Sequence, residues 1–184
     1  LCVQIFSANT DWPFNNASLW RPLKRNGKWR WITKDVDCVG NSMNPNVVDD
    51  PLHFNSLWFL TGLGSKDSQE YKLHTYSAAI TRSVEFFKVI LQMPEFRDLM
   101  VDRMAVYLGD FLKPSVTSPL LRQMREEILD EVGCTWELYY PNKSWGKGYL
   151  VFYTDKTLDF LQKRPRVMYE QLADFYHVGS PLSI

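Results

Sequence analysis

The sequence predicts a mainly α fold, formally α+β because one β-hairpin stands near its start. Three observations lead there. From about residue 80 onward, apolar residues recur at helical spacing: Ile80, Val84, Phe87 and Leu91 fall at i, i+4, i+7 and i+11. Asn26-Gly27 separates two aromatic-rich runs, residues 19–25 and 28–34, which is a strong short-range hairpin signal. Hydrophobic content of 45% with 23% charged residues suits a folded globular chain and excludes a disordered tail or a fibrous repeat.

Taken in order, residues 1–8 read as the end of a helix, and the polar stretch 9–16 as a turn-rich loop. In the hairpin, a two-residue type I′ turn at Asn26-Gly27 sets Lys24 opposite Trp29, Pro22 opposite Trp31 and Trp20 opposite Thr33. That register puts Trp20, Trp29 and Trp31 on one packed face, with Pro22 on an edge strand. The apolar run 54–63 is short and ambiguous, and Gly62-Leu63-Gly64 reads as its stop. Four helices follow. Pro94 ends the one holding Ile80 to Leu91 and opens the next, which carries Phe96, Met100, Met104, Leu108 and Phe111. Leu121, Met124, Ile128 and Val132 mark a third, with Gly133 as its C-terminal stop. The fourth runs from about 155 to 176, broken at Pro165. Arg122, Arg125, Glu126 and Glu127 read as a solvated helix face.

Length and charge narrow the function. The chain has 184 residues, 21 Lys+Arg and 21 Asp+Glu. That length suits a single domain, 1–184, made of a loop-and-hairpin segment, 1–50, and a helical segment, 51–184. A neutral chain argues against nucleic-acid or polybasic membrane binding. No apolar run is long enough to span a bilayer. No signal-like segment opens the chain, and its first residue is Leu1 and not Met, so the expectation is a piece of a longer polypeptide. Cys2, Cys38 and Cys134 lack zinc spacing; they read as three thiols, or one disulfide and one thiol. His53, His74 and His177 have no metal-ligand spacing. Aromatics reach 15%, and a second cluster from Trp136 to Tyr153 reads as packing between elements, with a carbohydrate- or peptide-stacking face as the alternative.

The chemistry lies in the first 40 residues. Protein kinases use a loop Asp to orient the acceptor hydroxyl and take its proton, an Asn five residues later to hold a metal ion, and a second Asp after a following strand to hold Mg²⁺ on the nucleotide phosphates. Asp11 and Asn16 are five apart, a hairpin follows, and Asp35 and Asp37 stand where its second strand ends. Asn9-Thr10 replaces the usual His-Arg, and no Asp-Phe-Gly triplet is present. Turns and helix caps use the same residue types, so the spacing leaves that alternative open.

The wording of the segment carries more. Asp11-Trp12-Pro13, Asn15-Asn16, Trp20-Arg21, Gly27-Lys28-Trp29-Arg30-Trp31-Ile32 and Asp35-Val36-Asp37 resemble the CotH family, atypical protein kinases first named from a bacterial spore coat protein. Met93-Pro94-Glu95-Phe96-Arg97 is similar to the start of one of its helices. The resemblance implies a kinase-like C-lobe fragment, with the hairpin following the catalytic loop. It implies Asp11 as the catalytic-loop Asp, Asn16 as a metal and cofactor ligand with Asn15 beside it, Asp35 as the metal-chelating Asp, and Asp37 as a second acidic ligand. It also implies ATP with Mg²⁺ or Mn²⁺ as cofactors and a protein Ser/Thr hydroxyl as acceptor. The glycine-rich loop and nucleotide-pairing Lys are absent, which points to a missing N-terminal lobe of the same chain and an inactive fragment. Family resemblance further implies a bacterial protein that is exported or cell-surface. The rival reading is a non-catalytic cell-surface interaction or carbohydrate-binding module.

Overall fold

The computed structural model describes residues 1–13, 15–36, 39, 48–140 and 146–177. Its elements are α1 (Cys2–Phe6), β1 (Ser18–Trp20), β2 (Arg30–Ile32), α2 (Ser56–Thr61), α3 (Gln69–His74), α4 (Ala78–Ile90), α5 (Pro94–Gly109), α6 (Pro114–Tyr139) and α7 (Gly146–Tyr176). The fold is mainly α with one small antiparallel sheet, as the sequence predicts. The chain divides into two compact units, Leu1–Met104 with Arg166–Ile184, and Ala105–Pro165.

In the first unit, α2 packs on α1, α3 and α4. The predicted α4 stripe is its buried face: Ile80, Val84, Phe87 and Leu91 are each at most 5% exposed. They join Ile5, Phe54, Leu57 and Leu60, and each such side chain contributes about 1.5–3 kcal/mol by leaving water. The ambiguous run resolves into α2. Asn55 caps it by accepting from the N–H groups of Leu57 and Trp58, and Gly62 ends it at φ 64°. A Cβ at Gly62 would also lie 2.7 Å from the His74 ring, so this stop needs glycine twice over. Helix α3 was not expected. Ser68 caps it, accepting from Tyr71 N–H at 3.2 Å, but six residues are too few for periodicity to register.

The hairpin exists in a different register. Ser18 pairs with Ile32, Leu19 with Trp31 and Trp20 with Arg30. Asn26 and Gly27 do not have positive φ, so no type I′ turn forms. Residues 21–29 instead make a longer connection, with Lys24 N–H donating to Pro22 O and Gly27 N–H to Lys24 O. Glycine serves close approach here, since a Cβ on Gly27 would lie 2.2 Å from Pro22 O. The offset from the expected pairing is an odd number of residues, so it swaps faces. Trp31 lies with Leu19, whereas Trp20 shares the opposite face with Arg30. The expected packed tryptophan face is therefore corrected: Trp20 and Trp29 are 45% and 62% exposed.

In the second unit, α6 runs through Gly133 to Tyr139, so Gly133 is helix interior and not a stop. Met124 and Ile128, which mark this helix in the sequence, are about half exposed. Arg125 leaves the expected solvated face: it donates to Asp155 and Glu126 with its side chain 17% exposed. The aromatic cluster is packing between α6 and α7, with Trp136 5.5 Å from Tyr149 and Tyr149 4.3 Å from Tyr153. Helix α7 begins earlier than expected and passes through Pro165 without a break. A proline costs one intrahelical hydrogen bond, which a long helix anchored on both sides absorbs. No described helix is long and apolar enough to cross a membrane.

Candidate active site

The loop after α1 is held by two buried amides. Gln4 is the carboxamide in an otherwise apolar first turn, and Asn9 follows the helix end; both are 3% exposed. Asn9 Nδ2 donates to Gln4 Oε1 at 2.8 Å and to the main-chain carbonyl of Asp35 at 3.0 Å. Asn9 Oδ1 accepts from Asp11 N–H at 3.1 Å, and Gln4 Nε2 donates to the carbonyl of Lys34 at 3.2 Å. Buried polar groups are expensive unless paired, and here one carboxamide satisfies both its donors and an acceptor position. Thus α1, the Asp11 loop and the segment leaving β2 are joined by a single network.

Asp11 is half-buried and meets both asparagines that follow it. Asn16 Nδ2 donates to Asp11 Oδ2 at 2.5 Å, and Asn15 Nδ2 donates to Asp11 Oδ2 and Oδ1 at 3.0 and 3.3 Å. An ionised carboxylate only accepts, so it turns the amide nitrogens toward itself and leaves Asn16 Oδ1 as the outward acceptor. Asn16 sits at φ 54° and Asp35 at φ 52°, a left-handed backbone that Asn and Asp tolerate better than other side chains.

Aromatic packing fixes this loop to the hairpin and to α4. Trp12, 3% exposed, lies 5.8 Å edge-on from Trp31 and 5.0 Å from Phe87, and Trp31 lies 5.7 Å from Phe87. Each centroid distance is in the range where aromatic pairs attract beyond their area burial. Beside this trio an open groove of about 910 Å³ begins at Pro13 and runs between the hairpin, α4 and α5.

Of the residues named from the sequence, Asp11, Asn15 and Asn16 come together, and Asp35 is tied to them through its backbone, its side chain lying exposed. Asp37 and Cys38 lie outside the described residues. Cys2 and Cys134 are free thiols; Cys2 Sγ lies 3.6 Å from Met100 Sδ, and burial pushes its thiol pKa up. His53 pairs with exposed Asp50, and His74 Nδ1 lies 2.7 Å from the carbonyl of Phe59. Among the described residues, no three His, Cys, Asp or Glu side chains gather as a metal-binding group. The donors present are carboxamide and carboxylate oxygens. They fit Mg²⁺, which takes hard oxygen ligands and few protein carboxylates beside substrate phosphates and water.

Sequence reasoning missed Gln4 and Asn9. Their signal was present: a lone carboxamide among Leu1 to Phe6, and Asn9 where ordinary kinases carry the residues preceding the loop Asp.

No curated protein and no solved structure matches the chain. A family model described as CotH kinase protein matches residues 1–168. That match covers the amide network, the Asp11 loop, the hairpin and most of the helical region, and the chain therefore belongs to the CotH kinase family.

Proposed function

We propose that this chain supplies the catalytic loop and metal-binding segment of an ATP-dependent protein phosphotransferase. The observation that carries the reading is the joint restraint of Asp11 and of the Asp35 segment by Asn9. Family membership supports it. Asp11 accepts the proton of a Ser or Thr hydroxyl as its oxygen forms the new bond to the γ-phosphorus and the bond to ADP breaks. Asn15 and Asn16 hold the Asp11 carboxylate in place for that proton. Asn16 Oδ1 and the carboxylates of Asp35 and Asp37 are the groups to hold Mg²⁺ or Mn²⁺, which when bound neutralises phosphate charge.

Phosphorylation of a protein acceptor by the full-length protein with labelled ATP tests this. Asp11→Ala and Asp35→Ala should each lower the rate at least about a hundredfold, the scale of a lost general base or charge-stabilising group. Full activity in both variants overturns the assignment. Calorimetric nucleotide titration with and without Mg²⁺ separates the reading from a binding module that does no chemistry.

A further inference from the structure

Residues 12–34 contain six cations, Arg21, Lys24, Arg25, Lys28, Arg30 and Lys34, and no Asp or Glu. The chain as a whole is neutral, so this is a local excess. All six are exposed, and among the described residues none meets a carboxylate. Arg21 and Arg30 lie instead over the rings of Trp29 and Trp20, at 5.0 and 5.6 Å.

The same hairpin forms one wall of the groove that begins at Pro13, two residues after Asp11. Leu19 and Trp29 face Phe86 and Ile90 of α4 and Phe96 and Leu99 of α5 across it. Trp29, Phe86 and Leu99 are 62%, 56% and 52% exposed, so the groove leaves apolar side chains open to solvent. The polar lining is Ser83 and Glu95, so the one lining charge is acidic and belongs to α5. The groove is thus apolar along its walls with Glu95 as its lining charge; of the hairpin cations, Arg21 stands over Trp29, which lines the groove, while Arg30 lies with Trp20 on the opposite face of the ribbon.

We infer that this groove receives the acceptor protein as an extended segment whose apolar side chains enter it while neighbouring carboxylates meet the hairpin cations. The acceptor role rests on the phosphotransferase reading above; the groove's ligand chemistry does not. A concave apolar wall suits the side chains of a peptide. A sugar–phosphate backbone offers it no apolar complement. A bilayer surface is too flat to fill it. A second copy of the hairpin would set cations against cations. Apolar anchors then give the affinity, and the hairpin charges give orientation, encounter rate and sensitivity to salt.

The test is fluorescence anisotropy on the full-length protein without nucleotide. The probe is a short labelled peptide holding one Ser, one Phe and one Leu among Glu and Asp. One twin carries Lys for every acid, and another carries Ser for Phe and Leu. The acidic apolar peptide should bind about tenfold tighter than either twin and weaken with added salt. Lys24→Glu with Lys28→Glu should erase the preference for acid, and Trp29→Ser should weaken binding about tenfold; circular dichroism checks that these exposed positions leave the fold intact. Equal binding of the Lys twin overturns the proposal. So does unchanged binding in both variants, or binding only by phosphatidylserine vesicles or single-stranded DNA. Absence of peptide binding also overturns it, whether the groove is then found covered by another part of the chain or by a second copy. Failed peptide binding with intact ATP-dependent phosphorylation removes the groove assignment alone. Intact peptide binding without nucleotide binding or phosphorylation removes the acceptor role alone.

Discussion

Asn9 Nδ2 donates to the main-chain carbonyl of Asp35 at 3.0 Å, across 26 positions of sequence, while its Oδ1 accepts from Asp11 N–H. One side chain thereby sets the distance between two backbone segments that carry the candidate acid residues. Asn9→Ala removes the bonds from Asn9 to buried Gln4 Oε1, to the Asp35 carbonyl and from Asp11 N–H, at a cost of about 1–3 kcal/mol where a buried group is left unpaired. The expected result is a lowered urea midpoint together with lost phosphorylation. Asn9→Asp should be worse, because it points oxygen at two acceptors.

Trp12 connects the loop to the core. Replacing a buried tryptophan with alanine costs about 3–5 kcal/mol, so Trp12→Ala should lower the thermal midpoint steeply. Trp31→Ala should cost less, since Trp31 is partly exposed. The two losses should be less than additive, because each removes the partner of the other.

Two glycines should respond oppositely to alanine. Gly62→Ala places a Cβ at φ 64° and 2.7 Å from the His74 ring, so it should destabilise by at least about 1 kcal/mol. Gly133→Ala lies inside α6, where the atoms nearest its Cβ belong to the flexible Lys147 side chain, at 2.8 Å. Helix propensity should win there, with a gain of up to about 1 kcal/mol seen in chemical denaturation.

Tyr176 predicts an alkaline signature. Burial pushes its phenol up to about 12, opposed by Arg97, and its Oη has no hydrogen-bond partner among the described residues. A tyrosine titrates near 10 when unfolded, so above that pH the unfolded state releases a proton that the folded state retains. Stability from this group is complete below pH 10 and is lost as pH rises toward 12. Tyr176→Phe should flatten that fall in a pH series of urea titrations while leaving neutral-pH stability equal or higher.

Legibility differed by the kind of signal. Helix α4 was readable because Ile80, Val84, Phe87 and Leu91 repeat through a full apolar face, and the α2 stop because Gly62 needs its backbone angle. Helix α3 is shorter than the pattern that reveals helices. The hairpin register was misread because Asn26-Gly27 is a local signal for a two-residue turn. What wins is tertiary: Trp31 packs on Trp12 and Phe87, and this selects the pairing that turns Leu19 and Trp31 to the same side. In the site, Asp11 and Asn16 were legible from spacing and wording, and the structure brings them into contact. Asn9 was not, because a buried amide that bridges distant backbone leaves no periodic trace.

The two-stranded ribbon has a further consequence for how this chain behaves in company. Among the described residues β1 pairs only with β2, so each strand keeps one outer row of peptide groups open. Such rows, flanked by exposed Trp20, Trp29 and Ile32, are templates for edge-to-edge aggregation. Two ribbons meeting that way would crowd six cations from each copy along one seam. The charge of the hairpin therefore acts as a guard against self-association, one that high salt weakens by screening and that an anionic partner lifts by neutralising it.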